Sequence, residues 1–535
     1  MERLSLLDQL FGNPDWLSDL LGRKVDTIWD TTPTALFTPA ATTPGQWAAA
    51  VSDMLVDNGL LPIGSDDHGR GCGCLGCSGL RDIDIDAQRE AASQGQRDGT
   101  AVAAEYGVGT IDPSIAFAAQ GAIPDPTPGQ DPNAATLGEM ADFLRADYWN
   151  GTSFKYNLGD SGPNPNNGVI TYNVSGFSNK AGVTDSNGIS GARGNLVREA
   201  FKVFEAVLGI EFVETTSANA DFFFADNQGG AYASSRGFQN GLEYTLINVA
   251  SNWSGGTSTY NDYTLQTIFH EIGHGLGLGH QGYYNGSGGW PNDAVFVNDS
   301  WQGSMMSYFS QIENQAINAT GAYLQTPMAV DWLALDALYG GDQSGGKTFG
   351  IQNAFKGDTV YGFNTNINSS VSDIWAKFAD YADRTASTII DGDGIDTLDV
   401  SGYSADQKIN LKVATASDVV ATVSDIGGLV GNLTLAVGTV IENAVGGSGD
   451  DQFWGNATAN QFVGNGGNDT FYDSEGSDEY RGGSGTDTAT FGFDFADYSF
   501  QVAGSFLEVV HVSAQATIDL VENTVEWLSF ADQTV

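Results

Sequence analysis

The 535-residue sequence predicts an α+β domain followed by an all-β domain of parallel coiled strands. Three observations carry this prediction: an amphipathic helix pattern with short apolar runs after residue 134, a histidine motif at 270–280, and a strict nine-residue repeat from Gly446 onward. The helix is read from Leu196, Val197, Ala200, Phe201, Phe204, Val207 and Leu208, which recur at the three- and four-residue spacing of one helical face. Runs at 210–213, 222–225 and 244–249 are short and rich in aromatic or β-branched residues, as strands are. From Gly346 helical patterns nearly vanish and glycine and aspartate rise. The blocks GGSGDDQFW, GNATANQFV, GNGGNDTFY, DSEGSDEYR and GGSGTDTAT then follow in frame. In each, positions seven to nine form a short strand with one apolar residue turned inward, and one block makes half a coil. The final forty residues leave this period and read as further strands.

Between Gly121 and Asn133 four prolines, Pro124, Pro126, Pro128 and Pro132, stand among polar residues, the composition of a linker. Three segments result: 1–133 as a pro-region or extension, 134–345 as the α+β domain, and 346–535 as the coiled domain. The extension shows no strong periodicity.

Sixty-six acidic against 21 basic residues give a net charge of -45, which argues against nucleic acid or anionic lipid as the main partner. Multivalent cations become the natural partners. No segment is apolar enough for a membrane span, and Asp15, Asp19, Arg23 and Lys24 interrupt any Sec-type signal pattern near the start. Cys72, Cys74 and Cys77 lie close together with no cysteine after them, so no long-range disulfide is possible. Alone, these features favour a cytosolic protein; the C-terminal half reverses that expectation.

Residues 270–280 read His-Glu-Ile-Gly-His-Gly-Leu-Gly-Leu-Gly-His. On a helix, positions i and i+4 share a face, so His270 and His274 can aim at one metal ion with Glu271 beside it. A continuous helix would carry His280 roughly 15 Å along the axis from His270. The helix must therefore stop between them, and Gly277 supplies the stop because glycine accepts the left-handed conformation of a helix end. Three neutral imidazoles leave an open position on a zinc ion, the arrangement of a catalytic site, and hydrolysis with Glu271 as general base is the expected chemistry. With only five histidines in the chain, a chance match is a poor explanation.

With HEIGHGLGLGH and the downstream SMMSY at 304–308, the chain resembles the metzincins, and within them the serralysin family, over residues 135–535. The resemblance implies a metzincin catalytic fold joined to a β-roll. It also implies that Met306 packs beneath the zinc histidines and that Tyr308 is a mobile zinc ligand with a catalytic hydroxyl. Without it, Met306 reads as core filler and Tyr308 as an ordinary half-buried aromatic.

The nine-residue blocks fit the calcium-binding pattern G-G-x-G-x-D-x-U-x, whose glycines permit tight turns and whose aspartates and carbonyls are hard oxygen ligands. Turns on one side of the roll are two blocks apart. Calcium is expected chiefly on the side with Gly446, Gly449 and Asp451, then Gly464, Gly467 and Asp469, then Gly482, Gly485 and Asp487. The blocks at 455 and 473 are degraded, with Asn460 in one and Glu475 in the turn of the other. Residues 446–490 hold eight acids and one base, so this segment should stay unfolded without cations. The family resemblance continues through GDTVYGF at 357–363, DGDGIDTLDVSGY at 391–403 and VIENAVGGSGDD at 440–451. It implies further calcium sites from the carbonyls of Gly357 and Thr359 with Asp391, Asp393, Asp396 and Glu442. One departure is Phe355, where the family commonly has arginine.

The expected function is a secreted zinc endopeptidase, stabilised by several calcium ions, that acts on extracellular proteins or peptides and leaves the cell through a type I secretion machinery. Two alternatives stand beside it: an adhesin or surface-layer protein with a non-proteolytic metzincin-like domain, and a zinc hydrolase of non-peptide amides. The cluster of His68, Cys72, Cys74 and Cys77 allows three readings: a thiolate latch on the open zinc position, a separate metal site, or a passive leader.

Overall fold

The computed structural model describes residues 134–189, 191–512 and 517–535, and the backbone of one further strand, Ile83–Ala87. The linker and the cysteine cluster lie outside the described residues.

The α+β part is a six-stranded sheet with helices packed on it. Its strands are β1 (Ile83–Ala87), β2 (Val169–Asn173), β5 (Glu211–Glu214), β6 (Phe222–Ala225), β7 (Ala231–Phe238) and β8 (Gly241–Val249), in the order β1-β7-β8-β6-β2-β5. A separate hairpin is formed by β3 (Phe177–Lys180) and β4 (Val183–Asp185). β8, β6, β2 and β5 run parallel, whereas β7 is antiparallel to β8 and β1 is antiparallel to β7. The apolar runs expected at 210–213, 222–225 and 244–249 correspond to β5, β6 and β8. Strand β1, by contrast, falls in the extension, where no strand is expected from the sequence.

Four helices of eight or more residues are described: α1 (Leu137–Arg145), α2 (Gly191–Leu208), α3 (Tyr263–Gly275) and α4 (Ala329–Tyr339). All seven apolar positions used to predict α2 are buried. α3 starts at Asp262, whose carboxylate accepts the N–H groups of Thr264 and Leu265. It ends in a Schellman motif: Gly277 N–H donates to the His274 carbonyl and Leu278 N–H to that of Gly273. Gly277 sits at φ +109°, the stop that the histidine spacing demands. α3 packs on β7, β8 and α2, with Phe269 edge-on to Phe204 at 5.8 Å.

Parallel coiling begins with strand Val360–Gly362, which pairs with Thr397–Asp399, and two one-turn helices, Asp373–Ala376 and Phe378–Tyr381, interrupt it. Strands 443–445, 461–466 and 479–484 pair in parallel in one sheet, and strands 452–454, 470–472 and 488–490 in another. The register joins Gln461 to Glu479 and Thr470 to Thr488, so like positions stack two blocks apart, as the repeat predicts. The eighth residues of the blocks, Phe453, Phe462, Phe471, Tyr480 and Ala489, are all fully buried between the sheets. The antiparallel strands 498–503, 506–511 and 518–522 extend one sheet at the end.

The two parts share structure. Strand Tyr323–Leu324 pairs with 385–389 beside the roll, Asn298 donates to the Val419 carbonyl, and Gln302 donates to that of Gly431. The loop before the SMMSY turn is therefore anchored on the C-terminal part.

Candidate metal centre

The three histidines converge: Nε2 of His270 lies 3.1 Å from that of His274 and 3.2 Å from that of His280, and the last two are 3.0 Å apart. Tetrahedral zinc at 2.0–2.1 Å from each nitrogen would space them by about 3.3 Å, so the set fits one ion with little adjustment. Each Nδ1 faces a backbone carbonyl: His270 that of Met305 at 2.8 Å, His274 that of Leu278 at 2.8 Å, and His280 that of Tyr284 at 3.0 Å. A carbonyl only accepts, so each Nδ1 carries the proton and each Nε2 offers its lone pair to the shared centre. Burial lowers the His270 pKa to about 4, and burial followed by the neighbouring imidazoles holds His274 and His280 well below the usual value. The site is thus a cluster of three neutral imidazoles that could hold a metal ion. Glu271, the next residue on α3, is buried.

The 304–308 turn closes the floor. Met305 and Met306 are both buried, and a β-carbon at Gly273 would meet Met305 Cε at 2.6 Å and Met306 Sδ at 2.9 Å. Only glycine at that position of α3 lets both methionines reach the helix. Asp331, buried on α4, accepts Ser304 Oγ–H at 2.7 Å and the N–H groups of Met305 at 2.7 Å and Met328 at 2.8 Å. Burial outweighs these bonds and pushes its pKa up to about 7. The Tyr308 ring lies 4.5 Å from His280 and 6.2 Å from His270, and its hydroxyl accepts Gly286 N–H at 3.2 Å.

The carboxylates singled out in the repeat form a ladder. Asp451 N–H donates to Asp469 Oδ1 and Asp469 N–H to Asp487 Oδ1, each at 2.8 Å, while Asp487 N–H reaches Glu526. The other oxygens of Asp469 and Asp487 are buried without a hydrogen-bond partner among the described residues, as expected where a cation belongs. Burial, then repulsion within the ladder, raises the Asp469 pKa to about 7. Ahead of the repeats, Gly357 N–H donates to the Asp393 carbonyl, Thr359 N–H to Asp396 Oδ1, and Asp396 N–H to Glu442 Oε2. Burial, then the nearby Asp396 carboxylate, raises the Asp391 pKa, and burial, then Asp358 and Asp393, raises that of Asp396. All six residues carried over for this region are therefore neighbours.

Several site residues escaped the sequence reading. Tyr284, Asp299 and Asp331 surround the histidines through hydrogen bonds that no motif announces. Asp358 repels Asp396, and its place inside the GDT segment was a usable signal. Asp473, Asp478 and Asp519 bring carboxylate oxygens within 4.8 Å of one another on the side of the roll whose blocks looked degraded. Asp473 stands where the repeat has glycine, and Asp519 lies beyond the repeat.

The fold and the site together define a metallopeptidase-type domain joined to a serralysin-type C-terminal domain. Residues 162–293 match the family model described as dual-action HEIGH metallo-peptidase, and residues 352–532 match the one described as peptidase M10 serralysin C terminal. The chain is 42% identical over 209 residues to metallopeptidase AprA of Pseudomonas marginalis, covering 38% of this chain and 40% of that protein. It is 38% identical over 267 residues to a serralysin of Photorhabdus luminescens, covering 48% and 50%. A serralysin of Photorhabdus sp. (strain Az29) is 32% identical over 349 residues, covering 61% and 65%. The chain thus spans about two-fifths to two-thirds of these curated relatives' length. No described helix is long and apolar enough to cross a membrane.

Proposed function

We propose that this protein is a secreted zinc endopeptidase whose coiled C-terminal part folds on calcium. The observation that carries the reading is the convergence of three Nε2 atoms within 3.0–3.2 Å while every Nδ1 is locked onto a carbonyl. His270, His274 and His280 hold the metal. Zinc bound there supplies Lewis acidity toward a peptide carbonyl and acidifies water. Glu271 then takes the proton of the attacking water and returns it to the leaving amine. Tyr308 donates its hydroxyl to the developing oxyanion after releasing Gly286, and Met306 supports the histidines from below. Three pointers favour peptide over other amides: the metallopeptidase family match, the relatives named as proteases, and an intact set of ligands and base.

Calcium is assigned to the ladder of Asp451, Asp469 and Asp487 with the turn carbonyls of Gly446, Gly449, Gly464, Gly467, Gly482 and Gly485, and to the group Gly357, Thr359, Asp391, Asp393, Asp396 and Glu442. Buried carboxylates of raised pKa need a counter-cation to ionise in the fold. Such a roll stays unfolded until it meets calcium outside the cell, which suits export through a type I channel. In the deciding experiment, Glu271→Gln retains zinc by elemental analysis but loses cleavage of a denatured protein by at least about a thousandfold. Near-normal turnover in that variant would refute the mechanism, and wild-type protein that binds zinc but cleaves nothing would favour the adhesin reading.

A further inference from the structure

Tyr284, four residues past His280, touches the metal centre on two sides. Its carbonyl accepts His280 Nδ1–H at 3.0 Å, and its ring stacks on Tyr308 with centroids 4.6 Å apart at 28°. Its hydroxyl accepts the backbone N–H of Tyr308 at 3.3 Å and donates to Asp299 Oδ2 at 3.0 Å. A phenol hydroxyl has one proton, so which way it points depends on the strongest acceptor nearby. That acceptor is the carboxyl of Asp299, which is fully buried. The backbone around it is fixed from outside the site: Asn314 Nδ2 donates to the Asp299 carbonyl at 2.7 Å, and the neighbouring Asn298 is held by Ala135 and Val419.

We propose that Asp299 is a positioning residue for the metal centre. By taking the Tyr284 proton, it turns the lone pair of that hydroxyl toward Tyr308 N–H and pins the residue whose carbonyl orients His280. One buried carboxyl thereby sets the third histidine and the turn tyrosine together, through Tyr284. Without it the Tyr284 hydroxyl loses its carboxyl acceptor and keeps only the Ser307 hydroxyl and the Tyr308 N–H beside it, so the ring is held less firmly in its slot and both the His280 carbonyl contact and the Tyr308 backbone contact loosen. The inference rests on the reading of the three histidines as a zinc site.

The test uses the full chain with saturating calcium and measures zinc affinity by competition with a chromophoric chelator, alongside kcat and KM for a peptide. Asp299→Ala and Tyr284→Phe should each weaken zinc binding about 10- to 100-fold, the range for outer-shell partners of ligating histidines. Both should lower kcat while KM stays within about twofold. Asp299→Asn keeps an acceptor oxygen and should recover most of the affinity. Tyr284→Phe retains the stacked ring, so it decides the matter if the alanine variant fails to fold. Folded Ala and Phe variants that hold zinc within about twofold of wild type would overturn the proposal, as would an Asn variant as weak as Ala. Wild-type protein that binds zinc tightly but cleaves no peptide would refute the peptidase reading alone, because the affinity series still judges Asp299.

Discussion

Asp331 offers the sharpest test of how the metal centre is supported. It receives three hydrogen bonds, from Ser304 Oγ, Met305 N–H and Met328 N–H, and the carbonyl of the same Met305 holds His270 Nδ1. Asp331→Ala leaves two backbone N–H groups and a hydroxyl in a buried place. At about 1–3 kcal/mol for each unsatisfied group, with some relaxation, the loss should come to about 4 kcal/mol. Asp331→Asn should cost far less, because its oxygen can face the two N–H groups that share Oδ2 while its NH2 donates to Ser304. The pH dependence separates the two causes. Burial raises the folded pKa of Asp331 to about 7, above the ordinary value of 3.8. A carboxyl with a raised folded pKa favours the fold when protonated, and this contribution is lost as pH rises from about 4 to about 7. The Asn variant carries no such penalty, so its stability relative to wild type should improve by about 2–3 kcal/mol between pH 5 and pH 8. Urea unfolding in saturating calcium, followed by near-ultraviolet circular dichroism at both pH values, measures this difference, and titrations common to both proteins cancel. A loss below about 1 kcal/mol in the Ala variant, or an Asn difference that moves the other way with pH, would refute the reasoning.

Two further outcomes follow from the site and the roll. Tyr308→Phe should lower kcat by about 10- to 1000-fold with KM nearly unchanged if the hydroxyl serves the oxyanion, and steady-state kinetics showing unaltered kcat would reduce Tyr308 to packing. Calcium removal at pH 8 should unfold the C-terminal part, and acidification toward pH 5 should partly restore it. Asp469, Asp473 and Asp519 are each raised to about 7, chiefly by burial, so their penalty grows from about pH 4 to pH 7 and is full above that. In saturating calcium the trend should reverse, because the ligands must be ionised to bind. Thermal melts across pH with and without calcium check both halves, and a calcium-free roll that is more stable at pH 8 than at pH 5 would contradict the assignment.

Much of the fold was legible because it is periodic. The apolar face of α2 and the short strands β5, β6 and β8 announce themselves by pattern. The two-block register of the roll follows from a repeat in which the eighth position of each nine-residue block must be buried. Strand β7 was not legible: its first five residues are all buried and mostly small, so it shows neither alternation nor a strong apolar run. Helix α4 is buried on nearly every side and lacks an amphipathic face. Strand β1 joins the sheet by backbone pairing along β7, a contact that its alternating Ile-Asp-Ile-Asp sequence does not assign to any partner.

By itself the sequence determined the local chemistry of the site. The His270–His274 spacing puts two imidazoles on one helical face, and Gly277 ends the helix so that His280 can return, because both depend only on backbone geometry over a few residues. The order of the repeat likewise fixed which aspartates meet in the ladder. Tertiary structure alone decided what stands behind those ligands. The Met305 carbonyl that sets His270 Nδ1, the Asp299–Tyr284 and Asp331–Met305 supports, and the meeting of Asp473 and Asp478 with Asp519 all join residues well apart in the chain. Hydrogen bonds of this kind act over about 3 Å in space and leave no spacing in the chain.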